Sequence, residues 1–148
     1  MRSIISGFVV AVSLTAAATF VVAQRHASLT IRRLYAGADG QAYSGQVEVA
    51  LRPSALRSGL EESAPQKASA AQFFRWPAGY VWEWHTAARK QYVVTISGRG
   101  EVEVAGGEKL PLNPGMVLLA EDVNGKGHTT RVLGSEDLVL LIIPFEAR

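Results

Sequence analysis

The residues of this chain that could do chemistry are histidines, carboxylates and amides, because cysteine is absent. Without a thiolate, any bound metal must be held by histidine, carboxylate, amide or water. The serine, histidine and aspartate residues of this sequence do not follow an order that is typical of a catalytic triad. The stretch Gly125-Lys126-Gly127 lacks the flanking helix that a phosphate-binding loop requires.

Strand-like segments decide which of these side chains can share a face. Alternate residues of a strand point to the same side of the sheet. Glu83 is therefore predicted to point the same way as His85 and Ala87. Trp82 and Trp84 are predicted to point the other way. A carboxylate buried beside neutral histidines would need a partner, such as a metal or a protonated histidine, because an unpaired buried charge is costly.

Length and charge limit the kind of protein this is. A chain of 148 residues is enough for one domain with a single hydrophobic core. The net charge is only +2, and lysines and arginines are scattered rather than clustered. Nucleic acid is therefore not expected as a partner, because its binding needs a basic stripe.

The N-terminal segment predicts export. A positive charge at Arg2 precedes an almost unbroken apolar and small-residue run over residues 4–23, which ends just before Gln24. Residues 1–23 are predicted to be a cleaved signal peptide. The alternative is an uncleaved signal anchor, because the run has about the ~20 residues of a membrane helix. The protein is accordingly expected to be periplasmic or secreted, or else anchored in the inner membrane with its domain outside the cytoplasm.

The mature chain reads as short strands separated by glycine and proline. Alternating or β-branched runs predict strands at residues 28–34, 46–51, 73–76, 80–86, 91–97, 101–105, 109–112, 116–120, 129–133 and 138–145. The first is predicted to be an edge strand and the last a buried central strand. Residues 52–71 are predicted to be a surface loop with a helical turn at 55–60. The pattern predicts an all-β, antiparallel domain of jelly-roll type.

The segment Gly79 to Gly98 resembles the first motif of the cupins. That motif is Gly, five residues, His, one residue, His, three or four residues, Glu, six residues and Gly. Gly79, His85 and Gly98 match it, whereas Ala87 stands at the second histidine position and Gln91 at the glutamate position.

A second stretch resembles the other cupin motif, Pro-x-Gly-x-x-His. Gly125 and His128 match it, and Val123 replaces the proline. The chain is also similar to small single-domain bacterial cupins that carry Trp-His near the first motif and Glu-Asp…Gly-Lys-Gly-His in the second. The resemblance covers about residues 73–145. It implies a double-stranded β-helix, or jelly-roll barrel, over residues 28–148.

The resemblance also implies a metal site. In cupins, three histidines and a glutamate hold one divalent metal; here the corresponding ligands are His85, Gln91 and His128, with nothing that can ligate at Ala87. The ion would be manganese, iron, nickel or zinc, with water in the open positions. Glu83 could complete the site, with Glu121 as a further candidate, and His128 or Glu83 would move the proton.

Two functions follow as expectations. The leading one is an exported cupin that binds a small molecule, with a weakly held divalent metal and isomerase, lyase or oxygenase chemistry. The alternative is a metal-free, non-catalytic barrel that binds or senses a ligand, its histidines serving only as hydrogen-bonded pocket residues. Whether the protein is an enzyme stays open. A homodimer formed through the edge strand at 28–34 is also expected.

Overall fold

The computed structural model describes residues 28–146, which form an all-β domain. No helix of these residues is long and apolar enough to cross a membrane. Residues 1–23, to which the signal-peptide prediction applies, lie outside the described part of the chain. Twelve strands occur in residues 28–146: β1 Ser28–Ala36, β2 Ala42–Ala50, β3 Arg52–Pro53, β4 Glu61–Glu62, β5 Gln72–Trp76, β6 Val81–His85, β7 Gln91–Ser97, β8 Arg99–Glu103, β9 Lys109–Leu112, β10 Val117–Glu121, β11 His128–Leu133 and β12 Leu138–Pro144.

The larger sheet has six strands in the order β2-β1-β10-β7-β12-β5. β1 pairs with β2 on one side and runs parallel to β10 on the other, with Arg32 opposite Leu118. The prediction that residues 28–34 form an edge strand is therefore wrong. Arg33 of β1 is paired with Glu121 at the end of β10. A homodimer stays a prediction, but β1 is not an open edge that could form it.

The smaller sheet has four strands in the order β6-β11-β8-β9. β11 pairs with β8, so that Thr130 lies opposite Val102. The chain passes from the six-stranded sheet to this sheet at Gly98, between β7 and β8. Gly98 has a φ of 75°, and a Cβ there would overlap with the carbonyl oxygen of Asp137. Only glycine fits this corner.

The hydrophobic core is built from both sheets. The six-stranded sheet contributes Leu34, Ala42, Val93, Leu118, Ala120, Leu138 and Leu140, and the four-stranded sheet contributes Val102, Leu110, Leu112 and Val132. Most of these residues alternate with more exposed ones along their strands, as expected when one face of each sheet is buried. The two sheets therefore enclose one core.

Two further predictions can be compared with the structure. Residues 52–71 contain the short hairpin β3–β4, and the predicted helical turn at 55–60 is wrong. Pro53 and the positive φ of 87° at Gly59 favour a tight connection between extended segments. The predicted strand at 138–145 is present as β12, which lies between β7 and β5.

Candidate functional site

The centre of the candidate site is a pair of histidines on neighbouring strands. His85 ends β6 and His128 begins β11, and the two residues are register partners in the four-stranded sheet. Their ring centroids are 4.3 Å apart, with the rings inclined by 57°. Two imidazoles that were separated by 43 residues in the sequence can therefore act on one bound group.

A β-bulge in β6 decides which of its side chains join this pair. The register runs from His128 opposite His85 to Thr130 opposite Trp82. Between these two pairs β6 advances by three residues and β11 by two, so β6 contains one extra residue. The indole of Trp82 stacks on the imidazole of His85, with centroids 4.0 Å apart and the rings inclined by 9°.

The prediction that Trp82 points away from His85 is therefore wrong, because simple alternation does not hold across a bulge. The argument that brought Glu83 to the same face as His85 fails for the same reason. Glu83 is exposed. Its described contribution to the site comes from the backbone, since its carbonyl oxygen accepts a hydrogen bond of 2.6 Å from Nδ1 of His85.

His128 is held by a buried carboxylate. Nδ1 of His128 donates to Oδ2 of Asp122 across 2.6 Å. Asp122 is 0% exposed and His128 is 6% exposed. The second oxygen of Asp122, Oδ1, is buried and has no hydrogen-bond partner in the described part of the chain. Water therefore has little access to this pair, and the hydrogen bond is charge-assisted.

The loop between β10 and β11 is fixed on both sides of Asp122. The backbone N–H of Ala87 donates to the carbonyl oxygen of Asp122 across 3.2 Å. Gly127 has a φ of 71°, and a Cβ there would overlap with the carbonyl oxygen of His85. The backbone of the second motif therefore lies directly on the end of β6, and this close approach brings the two histidines together.

Among residues 28–146, neither ring has a hydrogen-bond partner at Nε2, so a ligand can bind there. A carbonyl oxygen can only accept, so Nδ1 of His85 must carry its proton and the neutral ring has a lone pair on Nε2. Burial lowers the pKa of His85, although the hydrogen bond to the Glu83 carbonyl acts in the other direction. His85 is therefore neutral at pH 7 and able to accept a proton, a metal or a hydrogen bond.

The other residues predicted for the site belong to the six-stranded sheet. Gln91 begins β7 in the six-stranded sheet, opposite Ala120 and Pro144. Glu121 is bound by Arg33 and Lys90 rather than by a histidine. Burial acts to raise the pKa of Glu121, but hydrogen bonds from these two cations outweigh it and the net pKa is lowered. This carboxylate is thus ionised and already paired.

Asp122 is the site residue that the sequence reasoning missed. It comes directly after the apolar strand β10 and six residues before His128. It also belongs to the Glu-Asp…Gly-Lys-Gly-His stretch that carried part of the resemblance. The sequence therefore contained a signal for Asp122, but alternation along residues 117–121 favours Glu121 as the site residue.

An aromatic cluster continues from His85 along the surface. The ring of Trp76 contacts Trp82 edge-on, with centroids 5.5 Å apart, and Tyr80 at 5.7 Å. Tyr80 and Trp82 are both more than 40% exposed. These faces can pack against an apolar or ring-containing ligand that reaches Nε2 of the histidines.

The histidine pair fits two positions of a metal site. Metal-binding histidines usually donate their second ring N–H to a carboxylate or a backbone carbonyl, as His85 and His128 do here. However, no group of three or more His, Cys, Asp and Glu residues within residues 28–146 could hold a metal ion. The remaining positions would have to be filled by water, an amide or the ligand itself.

Comparisons with known proteins give similarities of fold. No family model and no curated protein matches the chain. The chain is similar to the solved structure of a cupin domain from Bordetella pertussis, at 22% identity over 52% of this chain and 80% of that chain, with a TM-score of 0.43. An RmlC-like cupin protein from Desulfovibrio desulfuricans is 15% identical over 88% of this chain and 98% of that chain, with a TM-score of 0.38. The Cnp3 cupin domain of Schizosaccharomyces pombe is 14% identical over 82% of this chain and 86% of that chain, with a TM-score of 0.45.

These three neighbours share the cupin fold. It is also the fold that the motifs at residues 79–98 and 123–128 resemble. At these identities the similarity concerns the fold alone. Nothing about the ligand, metal or activity of those proteins transfers to this chain.

Proposed function

We propose that this is an exported cupin-type barrel that binds a small molecule at His85 and His128, two residues that would also hold a weakly bound divalent metal. The observation that carries the proposal is that acceptors engage both Nδ1 atoms, while no hydrogen bond from residues 28–146 engages either Nε2. Two nitrogens are fewer protein ligands than a tightly bound metal takes. The metal would therefore be exchangeable, and several positions around it would stay open to the ligand.

Each residue of the site has a separate role in this proposal. Manganese, iron, nickel or zinc would supply Lewis acidity toward an oxygen of the ligand. His85 and His128 hold the ion, and Asp122 fixes the orientation and tautomer of His128. The bulge in β6 removes the basis for bringing the Glu83 carboxylate to this site, so Glu83 is not assigned the proton transfer that the sequence predicts for it. Isomerase, lyase and oxygenase chemistry all remain compatible with this arrangement.

A second function is favoured by the small number of ligands. In a metal-free site, Nε2 of His128 would itself accept a proton or a hydrogen bond from the ligand, and Trp82 with Tyr80 would pack against its apolar part. The two proposals exclude each other at one atom, because Nε2 of His128 cannot bind a metal and a ligand proton at once. Metal content therefore separates them.

The first experiment is elemental mass spectrometry on protein purified without chelator and then dialysed to equilibrium against a known concentration of manganese, iron, nickel or zinc, so that exchangeable metal is counted. The comparison is with a His85→Ala/His128→Ala double variant. Near-stoichiometric metal in the wild type and none in the variant would support the metal-assisted function. No metal in either protein would overturn it and favour the metal-free ligand site.

A second pair of variants tests the role of Asp122. Asp122→Asn should lower metal affinity about 10-fold to 100-fold, the usual effect of removing a carboxylate behind a metal-binding histidine. Asp137→Asn is the matched control, since Asp137 is exposed and lies outside the site. Equal affinity in both variants would show that Asp122 does not support the metal.

A further inference from the structure

A groove of about 1170 Å³ lies beside the loop that carries Asp122 but includes neither histidine. Its charged lining comes from Lys67, Arg89, Lys90 and Glu146. Its apolar lining includes Pro65, Val123 and Phe145. The proposed function makes no use of these residues.

The walls of the groove are fixed by backbone hydrogen bonds. The N–H of Ser69 donates to the carbonyl oxygen of Pro144 at 2.8 Å, and the N–H of Glu146 donates to that of Lys67 at 3.2 Å. The N–H of Phe145 donates to the carbonyl oxygen of Lys90 at 3.0 Å. Three separate segments, around residues 65–69, 89–90 and 144–146, are thereby joined. The groove is a built feature of the domain.

The charges of the lining do not balance. Three cations face one carboxylate, which gives a net charge of +2. Lys90 is already paired with Glu121, so Lys67 and Arg89 remain against Glu146, a net charge of +1. Within residues 28–146, neither Lys67 nor Arg89 has an ion-pair partner within 4.0 Å. A concave site with one excess sign of charge attracts a small ion of the other sign.

The apolar wall narrows the class of ligand. The ring of Phe145 is held edge-on by Tyr92, with centroids 4.8 Å apart and the rings inclined by 86°. The cation over this ring is Lys90, whose Nζ lies 5.8 Å from the ring centroid, and Arg89 belongs to the same lining. A phenyl ring in a groove with excess positive charge matches a ligand with an apolar body and an anionic end. The planar guanidinium of arginine binds a carboxylate with two parallel hydrogen bonds.

We propose that this groove binds a small organic monoanion, with its carboxylate at Arg89 and Lys67 and an apolar or aromatic body against Phe145. A single negative charge neutralises the excess charge of the two unpaired cations over Glu146. The site is independent of the proposed metal or ligand site, because none of its lining residues belongs to the histidine cluster.

The test is an NMR titration of ¹⁵N-labelled protein with sodium benzoate, benzyl alcohol and inorganic phosphate at constant ionic strength. Benzoate should shift the amide signals of Lys90, Phe145 and Glu146, with a dissociation constant on the order of 1 mM, as expected for so small a ligand. Benzyl alcohol lacks the charge and phosphate lacks the apolar body. Each should bind at least about fivefold more weakly than benzoate.

Variants separate this site from general charge effects. Arg89→Ala and Lys67→Ala should each weaken benzoate binding about fivefold. Arg57→Ala, an exposed arginine outside the groove, should leave it unchanged. Absence of shifts at the groove, equal binding of benzyl alcohol or phosphate, or an equal loss in Arg57→Ala would overturn the proposal. The His85→Ala/His128→Ala variant should still bind benzoate, so failure of the histidine site and failure of the groove are distinguishable.

Discussion

Removal of the buried carboxylate should be the most damaging change near the histidines. In Asp122→Ala, Nδ1 of His128 loses its acceptor, and little water can replace it because His128 is only 6% exposed. A hydrogen bond to a charged group contributes about 1.5–3 kcal/mol, and a buried donor without a partner costs a similar amount. We therefore expect Asp122→Ala to lower the free energy of unfolding by about 3 kcal/mol, a large fraction of the ~5–15 kcal/mol of an ordinary domain.

Asp122→Asn should cost less, about 1 kcal/mol. The amide oxygen can still accept from Nδ1 of His128, so only the charge assistance of the hydrogen bond is lost. The amide nitrogen would take the place of Oδ1, which already lacks a partner within residues 28–146. No new unpaired position is therefore created, and a neutral side chain is less costly to bury than a carboxylate.

The assay is equilibrium unfolding in urea, followed by tryptophan fluorescence at pH 7. Asp137→Ala is the control, since Asp137 is exposed, and its cost should be about 0.5 kcal/mol. The slope of the transition should be the same in all variants if each unfolds in two states. The reasoning is refuted if Asp122→Ala costs no more than Asp137→Ala, or if the asparagine and alanine variants are equally unstable.

Three further predictions concern the supports of the site. Gly127→Ala should lower thermal stability far more than Gly106→Ala. Both positions have a positive φ, at which an alanine costs about 1 kcal/mol, but only at Gly127 would a Cβ also overlap with His85. Equal losses of stability would contradict this account. Glu121→Gln should be less stable than the wild type at pH 7, and the difference in stability should shrink as the pH falls below 4.5. A carboxylate with a lowered pKa loses its stabilising effect when it is protonated. Urea unfolding at a series of pH values tests this, and a difference that stays constant with pH would exclude it. Trp82→Leu should raise the pKa of His85 toward its ordinary 6.5, because burial is the main cause of its lowering; NMR titration would show no change if the indole does not shield the ring.

Most strands were predictable because their signals are local. The segments at 91–97 and 109–112 occur with the predicted bounds. Glycine or proline marks both ends of the second segment, and β-branched and aromatic residues followed by Gly98 mark the first. Which strands become neighbours is not a local property. β1 and β10 pair although more than 80 residues separate them, and no pattern within β1 distinguishes a strand with two neighbours from one with a single neighbour.

The site was predictable in its histidines but not in their surroundings. The spacing of His85 and His128 within two motifs carried enough information to bring them together as candidates. The bulge in β6 depends on the register with β11 and cannot be derived from β6 alone. That single extra residue brings Trp82 onto His85 and removes the basis for grouping Glu83 with it.

The buried carboxylate of Asp122 gives the strongest reason to expect a bound positive group at this site. A carboxylate with no exposure requires a positive partner. His85 cannot supply one, because burial lowers its pKa and keeps the ring neutral. Oδ2 contacts the imidazole of His128, so a cation bound at Nε2 would act on Asp122 through that ring. Substitution of Asp122 therefore tests a metal site more directly than substitution of Ala87 or Gln91.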